Sequence, residues 1–542
     1  MSSHPPKVAV FDTTLRDGAQ TEGISFSCED KLRIARRLDE FGVAFIEAGW
    51  PGSNPKDLEF FERAARTPWR SAKIVAFGAT RRRGILASED ANLQALIAAG
   101  TEVCSLVGKT WTLHVTDVLR VDLDENLRMI EESVAFLRES HRRVIYDAEH
   151  FFEGYRANPD YAVATLKAAA RGGAETLVLC ETNGGAMPWD VEDIVRSVKA
   201  AVDTPLGVHC HNDGEVAVAN SIAAIRAGAS QVQGTINGIG ERCGNANLCA
   251  IIPNLQLKLG VECVPDASLK TLFDLAHFVA EVANVALNEQ MAFVGRSAFA
   301  HKGGIHVAAM RRNERAYQHV EPERVGNSMR VVVSELSGRG NLLSKAEELG
   351  LSGDLEKGTH VTTVLDQIKE LEAEGFSFEA AEASVALMLS RQAGSYVAPF
   401  QPVNHTVMVE NRSGRSHAQA MVKIDIQGKQ YHTAGDGDGP VEALDVALRR
   451  ALSAAFPEVE RFHLVDYKVR ILDTTDGTSA TTRVLIDTRC GERTWSTVGA
   501  SKNIIEASWR ALLDGYEYGL VHGAKEHGTN VVAPHHTHKE PS

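Results

Sequence analysis

The sequence is poor in the features that mark secreted and membrane-embedded proteins. Its 542 residues include only eight cysteines, and no two of them form a Cys-x-x-Cys pair. This scatter excludes a disulfide framework and a zinc knuckle, and it predicts incidental thiols in a reducing cytoplasm. The sequence has no apolar signal segment and no run near the roughly 18 uninterrupted apolar residues that a membrane span needs. We therefore expect a cytoplasmic protein that uses no membrane.

Positive charge is also in short supply. The 57 Lys and Arg residues face 71 Asp and Glu residues, which gives a net charge of -14. No basic face is left over to neutralise phosphates, so the composition excludes a general nucleic-acid binder. Two short basic stretches remain, RTPWRSAK at 66–73 and TRRRG at 80–84. A solvated surface is their simplest interpretation, and contact with an anionic cofactor is the alternative.

What the sequence does contain is a regular alternation of strand and helix signals from residue 7 to about 260. Eight short apolar runs typical of buried strands lie at 8–12, 43–49, 73–78, 102–108, 143–149, 176–183, 205–211 and 231–238. Amphipathic stretches with helical spacing separate these runs, and several end in glycine. Eight strand–helix units in about 250 residues are the count of a (β/α)8 TIM barrel. A doubly wound open sheet is the competing fold, but it leaves eight evenly spaced units unexplained.

The rest of the chain is organised differently. Residues 422–452 and 484–514 share one order of strand, turn, strand, glycine-containing loop and helix. Such a duplicated unit forms a pseudo-symmetric α+β module, which serves dimerisation alone or dimerisation with small-ligand regulation. We therefore predict four segments: a catalytic TIM barrel at 7–262, mainly helical connecting subdomains at 263–400, a regulatory dimer domain at 401–527, and a disordered tail at 528–542.

The run HCHND at 209–213 places His209 and His211 two residues apart in a predicted strand. Side chains at this spacing point to the same side of a strand. Asp17 follows the first predicted strand, and the carboxyl ends of the strands of a TIM barrel meet at one site. Two imidazoles and a carboxylate suit a catalytic divalent metal, Mg²⁺, Mn²⁺ or Zn²⁺. Two ordinary structural histidines are the alternative interpretation of the His-x-His spacing alone.

Other polar residues at strand ends fit chemistry on a 2-oxo acid. A divalent metal chelates the keto and carboxylate oxygens of such a substrate and polarises its carbonyl. Arg16, always cationic, stands beside Asp17 and is suited to hold the oxyanion that develops. A salt bridge between Arg16 and a rim carboxylate such as Glu149 is the plainer alternative. The glycines around Asn245 allow a tight backbone course near a ligand, or they simply end the last strand.

Four motifs in order carry a family resemblance: DTTLRDGAQ at 12–20, HCHND at 209–213, GIGERCGNANL at 238–248 and HKGGIH at 301–306. Together they resemble the isopropylmalate synthase family, which includes homocitrate and citramalate synthases. The C-terminal repeat is similar to the regulatory dimer domain of that family. GWPGSNPKD at 49–57 and DAEHFFEGY at 147–155 most resemble the citramalate-forming members, since isopropylmalate synthases typically have Phe at the position of Trp50.

The resemblance implies an acyltransferase that condenses acetyl-CoA with a 2-oxo acid and then hydrolyses the thioester. For the citramalate-forming members it implies pyruvate as the 2-oxo acid, (R)-citramalate as the product, a route to isoleucine, isoleucine as the effector and a homodimer. It also implies roles for nine residues: metal ligands Asp17, His209, His211 and Asn245, keto-oxygen contact Arg16, catalytic carboxylate Glu149, substrate-carboxylate contact Thr182, and His306 with nearby Tyr317 for activating acetyl-CoA, supplied by the other subunit. Whether Glu149 or His306 is the base stays open.

Three other functions compete with this prediction. A metal-dependent acyl-CoA lyase or aldolase uses a similar barrel but usually lacks the connecting region and the duplicated module. Isopropylmalate or homocitrate synthesis differs only in the side chain of the 2-oxo acid, which a few pocket residues decide. A non-enzymatic amino-acid sensor would be expected to have lost one of the four residues Arg16, Asp17, His209 and His211, and all are present.

Overall fold

The computed structural model describes residues 6–334, 337–348, 359–392, 396–412, 414–472, 479–491 and 493–523. The chain divides into two compact units. The first comprises Met1–Phe299 with His319–Met329, and the second comprises Ala300–Gln318 with Arg330–Ser542. The segment 528–542, for which we predicted disorder, lies outside the described residues.

The first unit is built on a closed barrel of eight parallel strands in sequence order, with the eighth strand pairing with the first. The strands are β1 Ala9–Asp12, β2 Phe45–Gly49, β3 Lys73–Ala79, β4 Val103–Lys109, β5 Arg143–Glu149, β6 Thr176–Glu181, β7 Leu206–Cys210 and β8 Gln231–Gly234. Each lies within, or within one residue of, a predicted apolar run, so the TIM-barrel prediction is confirmed. β6, β7 and β8 end earlier than predicted, which places Thr182, His211 and Asn237 beyond the ends of these strands.

Helices connect the successive strands, and three more follow β8. They are α1 Cys28–Phe41, α2 Pro55–Ala64, α3 Ala91–Ala98, α4 Leu123–Glu139, α5 Phe151–Ala157, α6 Pro159–Gly172, α7 Pro188–Ala201, α8 Ala217–Ala227, α9 Leu248–Pro253, α10 Asp266–Leu269 and α11 Leu272–Val282. Local sequence explains their ends. The Ser27 hydroxyl accepts a bond from the Asp30 N–H, and the Asp30 carboxylate accepts one from the Ser27 N–H, so a capping box starts α1. Gly42, at φ 94°, ends it.

The barrel interior changes from apolar to polar along the strands. An apolar cluster inside the barrel includes Val103 of β4 and Ile145 of β5. Two residues further on, the same faces of these strands carry Ser105 and Asp147, both buried. An apolar floor therefore lies below a polar rim at the carboxyl ends of the strands, which is where active sites of this fold form.

The second unit begins with short strands β9 Ala300–His301 and β10 Arg330–Val331 and helices α12 Gly304–Arg312, α13 Arg339–Glu348, α14 Thr359–Ala373 and α15 Glu382–Gln392. Two three-stranded antiparallel sheets follow, each with one helix: β11 Gln401–Arg412, β12 Arg415–Ile426, β13 Lys429–Gly437 and α16 Pro440–Ser453, then β14 His463–Ile471, β15 Thr482–Cys490, β16 Arg493–Ser501 and α17 Ile504–Tyr518. Among the described residues, no helix is both long enough and apolar enough to span a membrane.

The two sheet-and-helix units repeat each other in detail, which confirms the predicted duplication. In the first, the Thr433 hydroxyl donates to the Ala447 carbonyl at 2.7 Å. In the second, the Thr497 hydroxyl donates to the Ala511 carbonyl at 2.7 Å. Each bond ties the third strand of a sheet to its helix at the same point of the repeat. The internal sequence similarity therefore reflects a shared packing of helix on sheet.

Candidate active site and metal centre

The ends of β1 and β7 bring three predicted metal ligands together. His209 Nε2 lies 3.2 Å from His211 Nε2 and 3.4 Å from Asp17 Oδ2. One ligand atom of each residue lies within 4.8 Å of the other two, and all three side chains are buried. Two imidazole nitrogens and a carboxylate oxygen that converge on one point form a donor set suited to a divalent cation.

The protonation of these groups favours cation binding. Burial, aided by the charge of His209, lowers the pKa of His211 to about 3, so its imidazole is uncharged at neutral pH and keeps a lone pair for a cation. Burial opposes ionisation of Asp17, but the charge of Arg16 and the hydrogen bond from His209 hold the pKa of that carboxyl well below its usual range. Burial also opposes a charge on His209, yet the hydrogen bond and charge of Asp17 raise the pKa of that imidazole. A proton on His209 and a divalent cation are therefore alternative ways to balance Asp17.

A chain of buried hydrogen bonds orients His209 from behind. Its Nδ1 lies 3.0 Å from Gln233 Oε1, an oxygen that can only accept, so Nδ1 carries the proton and Nε2 faces the cluster. Gln233 Nε2 donates to Asp147 Oδ1 at 3.1 Å, and the Ser105 hydroxyl donates to Asp147 Oδ2 at 2.6 Å. Our sequence analysis missed Gln233, although its position in β8 two residues after Gln231 indicates a side chain facing the interior.

Asn245, the fourth predicted ligand, is placed beside His211 by an isolated backbone bridge between the two residues. Its side chain is buried, and its Oδ1 atom has no hydrogen-bond partner in the described part of the chain. A buried amide oxygen without a partner costs free energy unless something else binds it. The donor set therefore fits a metal held by two nitrogens and two oxygens.

Arg16 lies at the same rim, but its ion pairs differ from the one we considered. Its Nε donates to Glu47 Oε2 at 2.6 Å, and its Nη1 lies 3.1 Å from Asp17 Oδ2. The alternative of a salt bridge with a rim carboxylate is therefore confirmed, but the partner is Glu47 and not Glu149, because β2, which carries Glu47, is the direct neighbour of β1. The guanidinium also stacks 4.0 Å from the ring centre of Phe77. Arg16 is thus held on three sides and presents its remaining edge to the cavity.

Glu149 is paired with a lysine that our sequence analysis missed. Lys109 and Glu149 are register partners at the ends of β4 and β5, and Lys109 Nζ bonds Glu149 Oε2. The other carboxylate oxygen, Oε1, lies 3.9 Å from His150 Nε2. The backbone N–H of His150 donates to the Thr182 hydroxyl oxygen at 2.9 Å. This bond uses the acceptor side of the hydroxyl and leaves its proton for a ligand.

These residues line one cavity of about 740 Å³ at the mouth of the barrel. Its walls include Arg16, Asp17, Glu149, Thr182 and His211 from the predicted site, and the three arginines of the TRRRG segment at 80–84. Positive side chains in a cavity wall favour an anionic ligand. Of our two interpretations of TRRRG, contact with an anionic cofactor therefore gains support.

Seven of the nine predicted site residues thus meet at the barrel rim. The other two, His306 and Tyr317, belong to the second unit, where their ring centres lie 4.4 Å apart. His306 is on α12, and Tyr317 is half exposed. The structure therefore pairs the two residues that we predicted to act on acetyl-CoA.

Comparison with known families covers nearly the whole chain. Residues 7–279 match the HMGL-like family, residues 293–375 the homocitrate synthase post-HMGL domain-like family, and residues 379–520 the LeuA allosteric (dimerisation) domain.

Individual relatives match at full length. An (R)-citramalate synthase of Aquifex aeolicus is 50% identical over 96% of this chain and 99% of its own length. An (R)-citramalate synthase of Geobacter sulfurreducens is 50% identical over 95% of this chain and 97% of its own. A protein of Methanopyrus kandleri named "Probable 2-isopropylmalate synthase" is 31% identical over 94% of this chain and 98% of its own.

The hydrogen-bond chain behind His209 makes a testable prediction. We expect Gln233→Leu to weaken binding of Mn²⁺ to the full-length protein about 10–100-fold, because His209 loses the acceptor that fixes its tautomer. Isothermal titration calorimetry measures the affinity. Gln94→Leu, at an exposed glutamine of α3, is the matched control and should bind Mn²⁺ normally. Equal affinity of the Gln233→Leu variant and the unaltered protein would show that Gln233 does not support the site.

Proposed function

The chain belongs to the (R)-citramalate synthase family of HMGL-like enzymes, and we propose from this premise that it converts acetyl-CoA, pyruvate and water into (R)-citramalate and CoA. The observation that carries the proposal at the site is the convergence of Asp17, His209 and His211 beside Arg16 at the rim of the barrel. This arrangement offers a metal position and a fixed cation side by side, which is what condensation onto a 2-oxo acid requires.

We assign the metal position to Asp17, His209 and His211, with Asn245 as the fourth ligand. Mg²⁺, Mn²⁺ or Zn²⁺ suits this mixed nitrogen and oxygen set. When bound there, the metal would polarise the keto group of the 2-oxo acid. The Thr182 hydroxyl, which accepts a hydrogen bond from the backbone N–H of His150, donates to the substrate carboxylate. Thr182 and Arg16 together orient pyruvate, with its keto oxygen toward the guanidinium.

Arg16 stabilises the charge that develops on the keto oxygen. As the new carbon–carbon bond forms, this oxygen changes from a carbonyl to an alkoxide. The guanidinium keeps its charge because Glu47 and Asp17 hold it in place. Burial raises the pKa of Glu47 to about 7 despite the nearby Arg16. A preorganised cation in a buried site stabilises an oxyanion more than solvent does.

Glu149 and His306 are the groups we assign to proton transfer. The base takes a proton from the methyl group of acetyl-CoA, and the resulting carbanion equivalent attacks the keto carbon of pyruvate. The alkoxide then takes back the proton that the base removed. Water attacks the thioester carbon, the carbon–sulfur bond breaks, one proton of the water passes to the sulfur, and CoA leaves as the thiol while the acyl carbon becomes a carboxyl group. His306 of the partner subunit, with its neighbour Tyr317, acts on acetyl-CoA, and Arg82 and Arg83, which are exposed, contact its phosphates.

We further propose a cytoplasmic homodimer regulated by isoleucine. The match of residues 379–520 to a LeuA allosteric (dimerisation) domain supports both the dimer and an effector site in the second unit. All eight cysteines lie in the described part of the chain, and each is a free thiol. Free thiols are typical of a reducing compartment and support a cytoplasmic location.

The substrate assignment is tested by CoA release from acetyl-CoA with Mg²⁺ or Mn²⁺, comparing pyruvate, 2-oxoisovalerate and 2-oxoglutarate. We expect clear preference for pyruvate. Preference for 2-oxoisovalerate would instead assign the protein to isopropylmalate synthesis, and no turnover with any of the three would favour a lyase.

The same assay tests the role of Glu149. Glu149→Gln should lower kcat about 10²–10⁴-fold, because it removes a carboxylate assigned to proton transfer. Glu139→Gln, at an exposed position of α4, should leave kcat unchanged.

The effector assignment is tested on the full-length protein with L-isoleucine, using D-isoleucine as the control. We expect L-isoleucine alone to inhibit CoA release and to slow amide hydrogen exchange within residues 401–523. A protein truncated from about residue 405 should lose the inhibition before it loses the chemistry. Inhibition that persists in the truncated protein, or protection confined to the barrel, would refute an effector site in the C-terminal module.

A further inference from the structure

Trp50 stands between the active-site cavity and a second, smaller cavity. It follows β2 directly and lines the cavity of about 740 Å³ that also contains Asp17 and His211. It lines as well a neighbouring cavity of about 260 Å³. Trp50 shares this double position with Arg16 and Gln20. These three side chains therefore form a partition between the two spaces.

Trp50 is held through its backbone and through its indole. Its backbone N–H donates to Asp57 Oδ2 at 2.9 Å, and its Nε1–H donates to Asn92 Oδ1 at 2.7 Å. Asn92 is itself fixed, because its Nδ2 donates to the Ala79 carbonyl at 2.5 Å. The indole cannot rotate aside for a larger ligand without losing its hydrogen bond to Asn92. The partition is consequently rigid at Trp50.

The ring of Phe77 links Trp50 to Arg16. Its indole packs edge-on against Phe77 with ring centres 5.4 Å apart, and the Arg16 guanidinium stacks on the other partner of this pair, 4.0 Å from the Phe77 ring centre. Arg16 is the residue that the proposed function assigns to the keto oxygen. A substituent on the keto carbon that grows beyond a methyl group therefore approaches this aromatic wall.

The smaller cavity offers space behind the wall. Its lining combines the apolar side chains of Leu15, Ala19, Ile24 and Phe26 with polar ones that include Lys31 and Asp57. The apolar part of this surface accepts a short alkyl chain, and each additional methylene in a fitting apolar pocket improves binding severalfold or more. The space for a longer 2-oxo acid thus exists, and Trp50 closes it off.

We propose that Trp50 determines the specificity for the 2-oxo acid by limiting the length of its side chain. This inference rests on the proposed condensation of acetyl-CoA with a 2-oxo acid. It assigns no proton transfer or metal contact to Trp50. The indole acts by occupying the space that ethyl and isopropyl groups would need, and Asn92 keeps it there.

The test compares kcat/KM for pyruvate, 2-oxobutyrate and 2-oxoisovalerate in the full-length protein and in Trp50→Leu. We expect the ratio of 2-oxoisovalerate to pyruvate to rise at least about tenfold in Trp50→Leu. Trp189→Leu, at a tryptophan that is 65% exposed, is the matched control and should leave the ratio unchanged. A ratio within twofold of the unaltered protein in Trp50→Leu would overturn the proposal.

A second variant decides the case in which Trp50→Leu does not fold or turn over. Trp50→Phe keeps an aromatic wall but is smaller, so the ratio of 2-oxobutyrate to pyruvate should rise about threefold or more. An unchanged ratio in Trp50→Phe overturns the proposal. The unaltered protein tests the proposed function separately: failure to use pyruvate would refute that function, whereas the shift between variants and the unaltered chain tests the wall whichever 2-oxo acid is preferred.

Discussion

The contact between His209 and His211 sets the conditions for the rest of the site. Their Nε2 atoms lie 3.2 Å apart beside the Asp17 carboxylate, in a buried position where a proton or a cation must balance the charge. The neighbouring polar groups orient the ligand atoms toward the position where that proton or cation binds. Gln233 and Asp147 hold one imidazole in the required tautomer, and Asn245 adds an oxygen that has no hydrogen-bond partner among the described residues. A divalent metal satisfies all of these groups at once.

Pairing is the second constraint on the rim, because uncompensated buried charges are costly. Arg16 is balanced by Glu47 and Asp17, and Glu149 is balanced by Lys109. Each pair joins neighbouring strands or one strand end, so the barrel register decides which charges can meet. The groups that the proposed chemistry uses are consequently fixed before any substrate arrives. Such preorganisation is the main source of electrostatic catalysis.

The architecture was predictable because the hydrophobic periodicity, the lengths of the apolar runs and the internal repeat are all visible in short stretches of sequence. Eight apolar runs gave the strands, and the duplicated segments predicted the paired sheets. The cluster of Asp17, His209 and His211 was predictable from the spacing of the two histidines and from the family motifs. The partners Gln233 and Lys109 were not, since each becomes meaningful only when strands distant in sequence are aligned in register. The choice of Glu47 over Glu149 as the partner of Arg16 depends on that alignment in the same way.

The wall formed by Trp50 illustrates the same limit, since no sequence pattern shows that one side chain borders two cavities. The proposed chemistry depends on a metal bound between Asp17, His209 and His211. A crystal structure of the full-length protein grown with Mn²⁺ and pyruvate, recorded with anomalous scattering from manganese, tests this claim most directly. We predict a manganese peak within bonding distance of Asp17, His209 and His211, with pyruvate beside Arg16. A manganese peak elsewhere in the chain, with no metal between these three residues, would contradict the account.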